Sequence, residues 1–195
     1  MDGSGNLRIE APLYTINPVT GAVEQTSTLN GKIIHLGYEN RNDHSLVWMD
    51  VGSVSGANLS VTIPAPTGAM LANVEDGYDG FDPGLVISGA GTKTFFANNF
   101  QPKLGGAYLE LFSDMQIEND GSGYEIVAGE EIWYIYSEGD ITIFGTEPGD
   151  PDCHYDIKLT QGWNAITCKF YDDGEYNESK NPSSGARWIV EAWSW

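Results

Sequence analysis

Apolar and polar residues alternate in short runs along most of this chain, the two-residue period of strands with one buried face. In Asn58-Leu59-Ser60-Val61-Thr62-Ile63 the alternation places Leu59, Val61 and Ile63 on one side. Comparable runs, several rich in Val, Ile, Tyr, Trp and Thr, recur from Leu7 to Trp195 with Gly, Pro, Asn and Asp between them. Helical periodicity is scarce. Residues 67–74 (TGAMLANV), after Pro64 and Pro66, can form at most one short helix. The pattern predicts an all-β fold, an antiparallel two-sheet β-sandwich of jelly-roll or Ig-like type.

Two hairpins are expected late in the chain. Around Glu138-Gly139, Tyr136 would face Ile141 and Tyr134 would face Ile143, aromatic against β-branched. Around residues 160–163 a second hairpin carries both cysteines. Cys153, Tyr155, Ile157 and Leu159 share one strand face, and Ile166, Cys168 and Phe170 share another. A two-residue loop at Thr160-Gln161 sets Cys153 opposite Cys168, and a four-residue loop offsets them by one diagonal step. A Cys153–Cys168 disulfide is therefore expected, with an oxidising compartment implied; two buried thiols are the alternative. Zinc fits less well, because His154 alternates away from Cys153. The polar run 172–185 (DDGEYNESKNPSSG) is expected to be a loop.

The chain has 195 residues, enough for one large β-domain. A single domain over 1–195 is expected. A sub-boundary near 65–75 would separate a small β-subdomain, 1–66, from a main sandwich, 75–195. The net charge is −19, and residues 1–70 hold only six of the 28 acids. Such a field repels phosphate backbones and excludes nucleic acid as a partner. No apolar run reaches the roughly 20 residues of a membrane helix. The opening Met1-Asp2-Gly3-Ser4-Gly5 carries no export signal, which fits a chain whose signal has been removed.

Two segments carry a resemblance. One is Tyr134-Ile135-Tyr136-Ser137-Glu138-Gly139-Asp140-Ile141-Thr142-Ile143-Phe144-Gly145, followed by Tyr155 to Asn164 with Leu159-Thr160-Gln161-Gly162-Trp163-Asn164. The other is Leu59 to Pro66. They resemble uncharacterised exported bacterial lipoprotein-like β-domains, over about a third of the chain. The resemblance implies a bacterial protein outside the cytoplasm and supplies no catalytic residues. The chain has no lipobox cysteine near its start.

Catalytic signatures are sparse. Gly52-Ser53-Val54-Ser55-Gly56 has valine where a hydrolase elbow needs its nucleophile. His35, His44 and His154 are the only histidines, which disfavours nucleophile–histidine pairs. Glu75, Asp76, Asp79 and Asp82, spaced by glycines, could hold Ca²⁺. Trp188, Trp193 and Trp195 cluster near the C-terminus and are the predicted ligand-binding residues, since exposed tryptophans stack on sugars or anchor protein interfaces. The expectation is a non-catalytic exported module binding carbohydrate or a surface protein. The alternatives are a carbohydrate-active enzyme or its accessory domain, and a calcium-stabilised surface domain.

Overall fold

A computed structural model describes residues 5–74, 85–89, 91–121, 123–147, 150–171 and 174–192. The sheet closes into a seven-strand β-barrel with nine further strands attached, which replaces the expected two-sheet sandwich. The barrel consists of β1 (Leu7–Ile16), β3 (Ile33–Asn40), β4 (Ser45–Ser55), β5 (Asn58–Ile63), β9 (Phe100–Pro102), β10 (Ala107–Asn119) and β16 (Arg187–Ala192). Its circular order is β16-β1-β5-β4-β3-β9-β10, and β10 pairs back with β16 to close the ring.

The registers follow from the apolar pattern. Between β1 and β5, Leu7 meets Ile63, Ile9 meets Val61 and Ala11 meets Leu59. Each of these rows places apolar side chains against the same core. A bulge in β4 opposite Ile34 and His35 shifts the phase, so that both Val51 and Val54 face inward while Leu46, Trp48 and Asp50 face out. Both sides of the expected 65–75 boundary contribute barrel strands, so that boundary separates no structural unit. The expected helix is reduced to a 3₁₀ turn at Gly68–Met70. It is followed by the short strand β6 (Ala72–Asn73), and β2 (Val23–Gln25) pairs with the edge of β1.

The second lobe grows out of β10 through β11 (Tyr124–Ser137), 14 residues long. Beyond it lie β14 (Gly162–Tyr171), β15 (Gly174–Ser179), β13 (Asp150–Leu159), β12 (Ile141–Glu147) and β7 (Val86–Ser88), in that order. On the other edge of β11 comes β8 (Lys93–Ala97), which carries β6. A second core collects Ile135, Ile143, Tyr155, Ile157, Leu159 and Ile166, with Val74 and Leu85 from the two ends of the sheet. Glu130, 4% exposed, ties the lobes together. It accepts hydrogen bonds of 2.7 Å from both Ser113 Oγ on β10 and Lys180 Nζ.

Neither expected hairpin forms. Residues 134–137 of β11 have β14 on one edge and β8 on the other, so β12 cannot pair there and instead pairs with β13. The second hairpin is split by β15, which runs parallel to β13 and antiparallel to β14. Residues 174–179, expected to lie in a polar loop, are that strand. Cys153 sits opposite Glu175 and Cys168 opposite Asn177. With a strand between them and a two-residue offset along it, their Cα atoms are about 12 Å apart, beyond the roughly 4.4–6.8 Å a disulfide spans. Both cysteines are therefore free buried thiols, 4% exposed, and the expected bridge is corrected. Asn177 Nδ2 donates to Glu175 Oε1 at 3.0 Å and approaches Cys153 Sγ at 3.7 Å.

Burial pushes the Cys153 thiol up to about 11 and raises Cys168 as well. Both thiols should therefore resist iodoacetamide at neutral pH in the native chain and react fully once it is unfolded in guanidinium. Intact mass before and after reduction should be the same. A 2 Da difference would mean that β15 does not separate the sulfurs.

Candidate functional site

The expected ligand tryptophans do not form a surface. Trp188 is 4% exposed and packs edge-on to Phe100, ring centroids 5.3 Å apart, inside the barrel. Its position on β16 points inward, so it belongs to the core, and Trp193 and Trp195 lie outside the described residues. The proposed calcium ligands Glu75, Asp76, Asp79 and Asp82 also lie outside them. Among the described residues no three His, Cys, Asp or Glu side chains converge closely enough to hold a metal ion.

Among the described residues the exposed tryptophan is Trp48, 38% exposed on the outer face of β4. Its partner across the ladder is Gly37 on β3. A Cβ at Gly37 would lie 2.6 Å from Trp48 Cζ3 and 2.8 Å from Cη2. Glycine thus supplies the recess in which the indole's six-membered ring lies against the sheet. The rim of the ring is polar. His35 Nε2 lies 2.6 Å from Asp50 Oδ1, and Lys103 Nζ lies 3.3 Å from Asp50 Oδ2. On β9 the Gln101 amide donates to Asn99 Oδ1 at 3.1 Å, and a Cβ at Gly37 would lie 2.7 Å from Asn99 Nδ2.

Two hollows border this ring. One, about 380 Å³, is lined by His35, Trp48, Gln101, Pro102, Lys103 and Leu104. The other, about 230 Å³, runs from Gly37 to Glu39, Leu46 and Phe95. Leu104 is 95% exposed with φ +93°, a conformation that costs a β-carbon-bearing residue about 1–2 kcal/mol. An apolar side chain thus stands in water on a strained backbone, beside an exposed indole. The sequence offered one usable signal: Leu46, Trp48 and Asp50 alternate outward opposite a strand bearing a glycine.

Half-buried carboxylates gather elsewhere, around β10, β11 and β16. Burial, then the neighbouring Glu191 and Glu131, raises Glu110 to about 7. Burial also raises Glu131 and Glu191, while Trp133 Nε1 donates to Glu131 Oε1 at 2.5 Å. Shifted acids of this kind would suit glycoside hydrolysis. The cavity beside Glu110 and Glu131 is about 10 Å³, however, room for about one water.

Among the described residues no helix is long and apolar enough to cross a membrane. Comparison of the chain with known protein families, with curated proteins and with solved structures finds no match.

Glu110 makes stability depend on pH. The folded chain holds this proton until about pH 7, whereas the unfolded chain releases it near 4.5. The stabilisation is complete below pH 4.5, fades as the pH climbs and is gone above about 7. Glu110→Gln should therefore raise unfolding stability at pH 8 by about 1–2 kcal/mol, a figure reduced for solvent screening, and change it little at pH 4. Equal effects at both pH values in urea titrations would refute the assignment.

Proposed function

We propose that the chain is a non-catalytic binding module that takes carbohydrate on the outer face of β3, β4 and β9. The observation that carries this reading is Trp48 lying across Gly37, its exposed ring framed by His35, Asp50, Asn99, Gln101 and Lys103. Sugar rings present an apolar face of C–H groups rimmed by hydroxyls. An indole laid on a sheet offers the apolar half of that match, and amides, a carboxylate and an ammonium offer the polar half. On β3 the ladder runs on both edges, to β4 and to β9, so His35 and Gly37 are held in place before a ligand arrives, while Trp48 and Asp50 are held through β3.

The enzymatic alternative is less favoured because Glu110 and Glu131 border a cavity of only about 10 Å³, and of the three raised carboxylates Glu191 alone lines a larger hollow. Placement outside a bacterial cytoplasm rests on the resemblance of residues 134–145 and 155–164. The buried thiols lend it no support.

Glycan-array binding of the full chain tests the reading. Trp48→Ala should lower affinity at least about tenfold for the retained glycan, the behaviour of an aromatic anchor, with the melting transition nearly unchanged. Gly37→Ala should do the same by lifting the ring from its recess. Silence across the array, or equal binding by Trp48→Ala, would dismiss carbohydrate at this face.

A further inference from the structure

Half of β4 is open on one side. β3 pairs with it from Ser45 to Ser53, whereas β5 joins it only over residues 52–55. Among the described residues no other strand reaches residues 45–51. The direction of the bare backbone groups follows from β3. The Gly37 N–H donates to Asn99 O at 2.9 Å, toward β9, so Gly37 and Trp48 form a non-hydrogen-bonded pair of the β3–β4 ladder. Pair types alternate along an antiparallel ladder, so Glu39 and Leu46 form another. The N–H and C=O groups of Leu46 and Trp48 therefore point to the open side. Among the described residues no backbone group meets them there.

From this geometry we propose that the open edge of β4 pairs antiparallel with the same edge of a second copy of the chain, Val47 lying opposite itself on the twofold axis. A bare strand edge is a template for another strand, and strands that stay single commonly carry lysine or proline. Ser45-Leu46-Val47-Trp48-Met49-Asp50-Val51 has neither, and only one charge. In a twofold pair, residues whose backbone groups face the edge must meet each other, which leaves few registers. With Trp48 opposite itself, Leu46 meets Asp50. With Leu46 opposite itself, Trp48 meets the turn at His44. With Val47 opposite itself, Leu46 of each copy meets Trp48 of the other, and each such pair exchanges both of its backbone hydrogen bonds. That register alone covers both apolar side chains, 60% and 38% exposed in the single chain, with apolar partners. On the reverse side it sets the half-buried Val47 against its counterpart. The Trp48 ring leans toward β3, where a Cβ at Gly37 would lie 2.6 Å from its Cζ3, so the space above the edge is left to Leu46 of the other copy. Charge at this edge is already balanced: Asp50 meets His35 and Lys103, and Glu39 meets Arg41 and His44. Residues 1–70 hold only six of the 28 acids, so repulsion between copies comes from the rest of the chain and is screened by salt.

Sedimentation velocity of the full chain in about 0.5 M NaCl should show a monomer–dimer equilibrium with a Kd of about 1–100 μM, the range of a small transient interface. Lowering the salt to about 0.05 M should weaken it at least about threefold. Leu46→Pro removes an N–H that faces the open side and spares the bonds to β3, and Leu46→Lys puts a charge into the apolar row. Each should weaken the dimer at least about tenfold with the circular dichroism spectrum preserved. Oxidation reads the register. Val47→Cys would sit in a non-hydrogen-bonded pair with its counterpart, Cβ atoms about 4.5–5 Å apart, and should cross-link into a covalent dimer. Ser45→Cys, about 13 Å from its counterpart, should not. Cys153 and Cys168 are buried and give no background. A chain that stays monomeric up to about 200 μM in the higher salt, a dimer indifferent to both Leu46 variants, or cross-linking by Ser45→Cys and not by Val47→Cys would overturn the proposal. The readouts are mass and cross-linking, so a silent glycan array leaves this pairing standing, and a monomeric chain leaves the carbohydrate reading standing.

Discussion

The pairing of β16 with both β1 and β10 is the constraint on which the rest of the structure depends. Taken up parallel by Leu13 and Tyr14 on one side and antiparallel by residues 107–112 on the other, β16 closes the ring. It seats Trp188 and Val190 in the barrel core. Closure joins the first and last barrel strands, and the registers cannot slip without exposing an apolar row. It also fixes the start of β10, whose far end continues out of the barrel and carries the hydrogen-bond ladder into β11. The second lobe is therefore an extension of the same sheet and needs no separate docking.

This continuity gives the molecule two stiff outward faces. On the barrel, Trp48 is flattened by the missing side chain at Gly37 and edged by polar groups. On the second lobe, Phe144, His154 and Tyr176 line a hollow with Asp156 and Glu178. Strand side chains alternate, so each face is the reverse of a tightly packed interior: Leu36, Val51 and Phe100 lie behind the first, and Ile143, Tyr155 and Ile157 behind the second. The side chains that meet solvent are thus positioned by those that do not.

Strand existence and facing were legible in the sequence. Leu59, Val61 and Ile63 point inward as their alternation says, and Cys153, Tyr155, Ile157 and Leu159 line one buried face. Strand partnership was not legible. Two apolar runs joined by a short turn suggest a hairpin, but local pattern carries no information about a third strand arriving from elsewhere. The strand that arrives is Gly-Glu-Tyr-Asn-Glu-Ser, polar enough to pass for a loop. It tolerates burial because Asn177 is satisfied by Glu175 and because its alternate residues face water. The same blindness hid the exposed aromatic face. Trp48 looks like any core tryptophan until its register sets it over Gly37, and Trp188 looks available until β16 turns inward.

The polar strand lodged between the sulfurs has a consequence for where this chain can mature. Its shape depends on no oxidant and no thiol-exchange catalyst, so a reducing cytosol and an oxidising exterior yield the same fold. Whatever route the protein takes through the cell, its cysteines do not restrict the journey.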